Sequence, residues 1–566
     1  MGFCNSMRLD LSHRGMLSVQ DSILIDEIES EALDIYNELI TQLTKDNSLK
    51  GLNLLLSITS RNPLQSQLLP IIAKLLLLQK KLERGDKISN ITVESSFMLE
   101  PVRKILDSFD ISIPIIAKNT KRHFSFGVLL RFVQSSYLIL ISWLWPRLTR
   151  SYKKAPNNNI VLVDTFVLPS SFTKEGEFID RYYTGYDQHL NNKQKRAVCY
   201  APVLSGYRTL TGCIKMALLS KKSKQNFLFQ ESWLTLFDYL HAMYLTMSLP
   251  LKVKNFPNFI GCDISKILLD EARRDILSPM LLKAICRFKF VKRISLANIK
   301  VCHVVNWHEN QSIDKALNLG FHMHYPGVVI KGYQGYLAPS YWAHLVPQPF
   351  ELENQLLPDD FYVISNYRKK ETLDNCPNLS VGIASSFRFS YLLDIERVEF
   401  FLETEKTILI ALPIDIRESQ DILRVCIKLK SLISRKITLL VKQHPTYSKD
   451  KFEKLVPEFG NSAYKVVNDS MSNLLERISL LISSASSTCA EAVSLGIPVA
   501  VYGNRYGVTA NPIANTDSEI AQVFYSQEQL AEFINNSLTT NYRRKHIEEY
   551  FYIDNGESAK ELFVCS

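Results

Sequence analysis

The chain has 566 residues, 46% of them hydrophobic and 22% charged, with a formal net charge of +9 and 10 cysteines. That length exceeds one ordinary core and implies two large domains or more, and the apolar content excludes a disordered chain. The modest positive charge suits a phosphate-bearing small molecule or an anionic membrane surface, with no basic run of the nucleic-acid-binding kind; the scattered cysteines, without C-x-x-C or Cys/His spacing, fit a reducing cytosol.

Residues 1–14 are polar and mixed, unlike a secretory signal. Met1-Gly2-Phe3-Cys4-Asn5-Ser6 fits the loose myristoylation pattern, which so short a stretch often matches by chance. Residues 18–85 are helical in period, and 65–82 are apolar on nearly all faces, the pattern of a buried helix. Residues 88–93 predict a strand, 95–109 a helix and 111–116 a strand, together a βαβ unit.

The pattern breaks over 119–157. Residues 132–145 (FVQSSYLILISWLW) are uncharged and aromatic, but shorter than the about 20 apolar residues of a spanning helix. Lys118, Lys121 and Arg122 flank one end, and Arg147, Arg150, Lys153 and Lys154 the other. A helix or helical hairpin over 124–148, lying on an anionic membrane surface, accounts for this arrangement. A buried helix, a dimer contact and a true span are the alternatives.

Residues 159–163 predict a strand ending at Asp164-Thr165, and 198–200 another. Residues 207–250 are helical and aromatic (Trp233, Phe237, Tyr239, Tyr244), mostly as core. Residues 301–306 predict a strand that ends at Trp307-His308-Glu309-Asn310-Gln311, followed by a helix over 312–319. A strand over 327–331 leads to Gly332-Tyr333-Gln334-Gly335. Further strands are predicted at 361–364 and 381–384, the second leading into Ser385-Ser386-Phe387-Arg388-Phe389. The charged stretch 391–405 marks a boundary between an N-terminal domain, 1–395, and a C-terminal domain, 396–566.

Beyond the boundary, strands at 407–412, 437–441, 464–467, 478–482 and 498–502 alternate with helices at 418–434, 448–459, 470–476 and 488–495. Helices over 526–553 close the chain. Such alternation predicts a parallel sheet with crossover helices, whose ligands sit beyond the carboxyl ends of the strands. Lys442-Gln443-His444-Pro445 and Ser486-Ser487-Thr488 both fall at that edge. A helix starting at Ser487 or Thr488 presents free N–H groups and a positive dipole end to a phosphate. His444 can donate to a phosphate oxygen, and Pro445 holds it in extended backbone. Strand alternation allows only one of Lys442 and Gln443 to face the site. Plainer readings exist: His-Pro as a turn, Ser/Thr as an N-cap, and Glu491 as a surface residue.

Lys442-Gln443-His444-Pro445, Ser486-Ser487-Thr488, Glu491-Ala492 and Gly496-Ile497-Pro498-Val499 resemble the K-x-HP, SS, EA and GxPV pattern of bacterial capsule and lipopolysaccharide glycosyltransferases. That group includes polysialyltransferase-like and Kdo-transferase-like enzymes and, more distantly, the CDP-glycerol polymerases. Asp164-Thr165-Phe166, Glu309-Asn310-Gln311, Gly332-Tyr333-Gln334-Gly335 and Ser386-Phe387-Arg388-Phe389 resemble a bacterial surface-carbohydrate biosynthesis family. The resemblance implies an α/β chain of two Rossmann-like domains facing across a cleft (GT-B), with an apolar helical insertion in the N-terminal acceptor domain. It further implies a CMP-activated nonulosonic or Kdo-type donor, a glycan or lipid-linked acceptor, and a cytoplasmic chain peripheral on the inner membrane face. Glu491 would accept from the ribose, Arg388 would meet the donor's carboxylate or phosphate, and Gln311 and Gln334 would bind the acceptor.

Glycosyl transfer needs a base for the acceptor hydroxyl and stabilisation of the departing phosphate. Asp164 and Glu309 are the candidate bases, each with a capping role as its alternative, and His308 is a third. No D-x-D motif occurs, so no metal and no cofactor are expected. Competing readings are a CDP-glycerol or ribitol-type phosphotransferase, with His303 or His308 as partner, and a catalytically silent GT-B scaffold on a membrane.

Overall fold

A computed structural model of the chain describes residues 7–119, 124–151, 159–259, 261–395 (338 and 340 apart), 406–444 (428, 430, 431 and 434–436 apart), 464–538 (515 and 517 apart) and 547–565. Pro445, the helix expected over 448–459, the Met1–Ser6 motif, much of the boundary stretch and the ends of the 119–157 insertion lie outside these residues.

Three parallel sheets organise the chain. The first is small, in the order β1-β2-β3: β1 (Met7–Asp10), β2 (Ile88–Ser95) and β3 (Ile115–Asn119). The predicted βαβ unit is therefore two thirds of a sheet. Its first strand, MRLD, is an edge strand with one buried residue, Leu9, too short and polar to show a period. The helix Leu68–Glu83 packs on the helices Val19–Glu27 and Glu29–Asp46 and is buried on nearly every face, as its all-round apolar sequence demands.

The second sheet has seven strands: β4 (Ile160–Val167), β5 (Val198–Leu204), β6 (Asn226–Phe227), β7 (Val301–Trp307), β8 (Val329–Gln334), β9 (Asp360–Val363) and β10 (Ser380–Ile383). Their order is β10-β9-β8-β7-β4-β5-β6, all parallel. The run IVLV of β4 is buried on both faces, the signature of a strand with helices on either side. The third sheet contains β11 (Lys406–Ala411), β12 (Ile437–Lys442), β13 (Lys465–Val466), β14 (Leu480–Ser483), β15 (Val499–Tyr502) and β16 (Ala521–Phe524). Their order is β13-β12-β11-β14-β15-β16, again all parallel.

Numbered within each sheet, both large sheets have the 3-2-1-4-5-6 order of a doubly wound nucleotide-binding fold, with one extra strand on the first. The switch points lie between β4 and β7 and between β11 and β14, and residues from the carboxyl ends of both sheets line one cleft. The chain is thus α/β, with two Rossmann-like domains facing across a cleft, the GT-B arrangement.

The apolar insertion forms a helix of 25 residues, Phe124–Leu148, longer than the uncharged run because Arg131 and the flanking residues join it. Ser135, Ile139 and Trp145 turn inward; Ser135 Oγ donates to Leu277 O at 3.1 Å, and Trp145 meets Phe229 edge to face at 5.3 Å. Leu129, Phe132, Val133, Tyr137 and Leu140 turn outward and are exposed. By length and composition the stretch Gly127–Leu148 suffices to cross a membrane. Its inner face is instead bound along the domain.

Candidate active site

The cleft between the two switch points has a volume of about 700 Å³. From the N-terminal side it is lined by Tyr182, Trp307, Glu309, Gln311, Tyr336 and His344, and from the short helical segment Phe387–Asp394 by Arg388 and Tyr391. From the C-terminal side come Lys442, Gln443, His444, Ser470, Ser486, Ser487, Thr488 and Glu491.

Glu309 stands just past the end of β7, and the fold holds its turn from several directions. The Asp314 carboxylate accepts the backbone N–H of Glu309 at 3.1 Å and of Gln311 at 3.0 Å, capping the helix Ser312–His324. Asn310 between them has φ +49°, a left-handed conformation its short polar side chain tolerates, and its Nδ2 donates to His344 O at 2.7 Å. The Glu309 carboxylate then accepts from Trp307 Nε1 at 2.8 Å and from Gln311 Nε2 at 2.6 Å. Burial raises its pKa above the usual carboxylate value, opposed by those two hydrogen bonds and by the Arg388 charge. Each carboxylate oxygen keeps lone-pair capacity for a further partner.

On the other wall, β12 ends at Lys442, whose Nζ donates to Asp469 O. Lys442, Gln443 and His444 all line the cleft, against the expectation that only one of Lys442 and Gln443 would. Alternation holds only within a strand, and β12 stops at Lys442. Burial lowers the pKa of His444 and of Lys442. Past β14, Ser483 Oγ donates to Ala411 O at 2.8 Å, locking the switch point, and Ser484 Oγ donates to Glu418 at 2.9 Å. The following helix, Thr488–Ser494, has 7 residues and no side-chain cap at Ser487. Ser486 Oγ instead donates to Thr488 Oγ1 at 3.1 Å, and Ser487 Oγ to Glu491 Oε1 at 3.4 Å. The Tyr391 hydroxyl donates to Glu491, whose pKa burial raises.

Two expected residues are elsewhere. Asp164 does not reach the cleft: its carboxylate is 2% exposed and ion-paired with Arg287, itself fully buried and also donating to Ala201 O at 2.6 Å. Asp164 lies within β4, an interior strand flanked by β7 and β5, with three strand residues still to follow it, so its side chain is enclosed under the helix that carries Arg287 rather than at the strand's end. Gln334 is buried as well, donating to Leu345 O and accepting from Arg368 Nη2, both at 3.0 Å. His308 is fully buried against Phe361 at 5.4 Å, its pKa pushed down to about 3 by burial. His303 is tied through Nε2 to Leu562 O at 2.7 Å. Neither histidine lines the cleft.

Sequence reading missed Tyr182, Trp307 and Tyr391. Trp307 closes a predicted strand beside Glu309, so its position was a usable signal. Tyr182 and Tyr391 come from irregular segments with no period to place them. Tyr182 packs edge-on to Trp307 at 4.5 Å, and burial raises its pKa to about 12.

No protein-family model matches the chain, and no curated protein does. Among solved structures it is similar to the S. aureus MnaA–UDP co-structure, with 13% identity, a TM-score of 0.40, and coverage of 72% of this chain and 95% of that one. It is similar to an α,α-trehalose-phosphate synthase (UDP-forming) from Burkholderia vietnamiensis, with 8% identity, a TM-score of 0.36, and coverage of 68% and 93%. A third is the lipopolysaccharide outer core galactosyltransferase WaaB in its apo form, with 9% identity, a TM-score of 0.36, and coverage of 68% and 90%. At these identities and TM-scores the likeness carries no function over to this chain.

Proposed function

We propose that the chain is a glycosyltransferase of bacterial surface polysaccharide synthesis, moving a sugar from a nucleotide-activated donor to a glycan or lipid-linked acceptor. One observation carries the reading: a single cleft sets Glu309 on one wall against Lys442, His444, Ser486, Ser487, Thr488 and Glu491 on the other. In the reaction the acceptor hydroxyl oxygen bonds to the anomeric carbon and its proton passes to Glu309. The bond from that carbon to the phosphate oxygen breaks, and the electron pair leaves with the nucleotide. Lys442, His444 and the hydroxyls meet that growing negative charge. Glu491 is the acceptor for ribose hydroxyls, its carboxylate shared with Tyr391 until the donor arrives.

The donor we favour is CMP-linked. Among the described residues that line the cleft, Lys442 and Arg388 are the formal cations, against Glu309 and Glu491, a balance that suits one phosphate better than two. Titration of the purified chain with CMP, CDP, UDP and GDP tests this. CMP binding tightest, and weakened by His444→Ala and Ser487→Ala, is expected. Preference for CDP would favour a glycerol- or ribitol-phosphate transferase, and binding of none of the four would leave a silent scaffold.

The chain is further proposed to work at the cytoplasmic face of the membrane, docked through Phe124–Leu148. The helix Leu236–Ser248 supports this with its own exposed apolar face, Phe237 at 71% and Tyr244 at 63% among them. No acidic residue occurs between Asp110 and Asp164, or between Asp187 and Glu231. The exposed Lys215, Lys221, Lys222 and Lys224 lie on or just after the helix Leu210–Ser220, which packs against Phe124–Leu148, without nearby acids in sequence, a combination suited to anionic lipid.

A further inference from the structure

The three-stranded sheet has a carboxyl edge of its own, which the transfer chemistry leaves unused. Past the ends of β1 and β2 opens a cavity of about 280 Å³, walled by Leu11, His13, Glu94 and Phe97 and, opposite, by Lys74 and Arg274. Its charged groups are fixed in advance. Lys74 is 4% exposed and donates to Ser12 O at 2.6 Å. Arg274 is clamped by Asp270 at 3.2 Å and Glu271 at 2.6 Å. Glu94 accepts the backbone N–H of His13 at 3.0 Å and Asn119 Nδ2 at 2.7 Å. Groups already held in place lose little freedom when a ligand binds.

Cation and carboxylate face the same small space, which selects the ligand. An anion would meet Glu94 and a cation would meet Lys74. A hydroxyl both donates and accepts, so a polyol satisfies the two together. The half-buried Phe97, with Pro70 and Ile71, supplies the apolar wall on which the C–H face of a sugar ring packs.

The cavity shares a wall residue with a second hollow, and the residues lining both lie close in the chain to residues of the cleft. His13 lines that hollow, of about 420 Å³, together with Arg14 and residues Ile414, Asp415, Ile416 and Arg417. Ile414 follows closely on Leu412, a cleft residue, and on the other side Leu64 of the cleft closely precedes Gln67 of the cavity. We infer that cleft, hollow and cavity form one track for a glycan acceptor, the cavity seating a neutral sugar unit remote from the reacting end. The role of acceptor rests on the transferase reading; the sugar-binding cavity rests on its own residues.

The test is an array of bacterial surface oligosaccharides, from mono- to hexasaccharides, probed with the full chain and with Phe97→Ala and Arg274→Gln, alongside nucleotide titration. Affinity of the wild type should rise with glycan length. Both variants should lose at least about tenfold on the longest glycans while keeping nucleotide affinity, the sign that they remain folded. Variants equal to wild type on those glycans, or a wild type that binds none, would overturn the inference. Glycan binding lost in the variants with no nucleotide bound by any form would support the cavity and sink the transferase reading.

Discussion

Glu309 reaches the cleft with its carboxylate held by Trp307 and Gln311 and its pKa raised by burial, the combination that makes a carboxylate an effective base near neutrality. Because the ionised form acts and burial disfavours it, kcat/KM should fall with acid along a limb lying above the ordinary value of 4.5. Glu309→Gln should lower kcat by about 10²–10⁴-fold and remove that limb while donor affinity stays within a few-fold. An unchanged pH profile in the variant would exclude Glu309 as the base. Asp164→Asn should behave in the opposite way. Its ion pair with Arg287 is buried, and removing one partner of such a pair costs about 3–5 kcal/mol. The loss should appear as a lower urea midpoint with kcat per folded molecule retained; a normal midpoint with lost turnover would return Asp164 to the chemistry. The two acids are alike in sequence, each at the end of a predicted strand beside the edge where ligands bind. Arg287, the residue that separates them, lies in a distant helix, and no period or spacing connects it to Asp164.

At the scale of elements, long buried strands and the helices between them were legible because burial imposes a period. Strands β1, β6 and β16 were not: each is an edge strand of four residues or fewer, and their polar faces carry no alternation that distinguishes them from loop. The helix Leu236–Ser248 shows the reverse failure. Its aromatics read as core, yet Phe237, Leu240, Tyr244 and Met247 fall on one exposed stripe, because composition records apolarity without the side that receives a neighbour. If that stripe and the outer face of Phe124–Leu148 meet lipid, Phe237→Glu combined with Leu240→Glu should cut sedimentation with phosphatidylglycerol-containing vesicles about tenfold or more, since each substitution removes buried apolar area and adds repulsion. Wild-type binding should weaken with salt. Equal sedimentation of the two proteins would exclude this helix from the contact.

Across the whole molecule, the chain's two ends are tied to sheets far from them in sequence. Near the N-terminus, Asp26 accepts from Thr509 N at 2.7 Å and Tyr525 Oη at 2.6 Å, and Leu17 O accepts from Arg505 Nε at 2.9 Å, fastening the small sheet's helices to the third sheet. At the other end, the helix Glu557–Phe563 returns to the seven-stranded sheet. There Tyr362 Oη donates to Glu561 Oε1 at 2.6 Å, His303 pairs with Leu562 O, and Phe563 packs on Tyr186 at 4.1 Å. Contacts outside the cleft thus join the Tyr391–Glu491 hydrogen bond within it in holding the two walls, and Glu309 and the donor residues line one cleft before any substrate binds. Deleting 557–566 should expose these surfaces. Leu562 and Phe563 are both fully buried, and at about 1.5–3 kcal/mol for each large apolar side chain the loss should be about 3–6 kcal/mol. Urea unfolding followed by tyrosine and tryptophan fluorescence reads it directly. The truncated chain should unfold earlier and, with its second wall no longer held, bind nucleotide through the third sheet while failing to transfer sugar. A truncation that keeps both midpoint and turnover would show that the cleft is held together by other contacts than these.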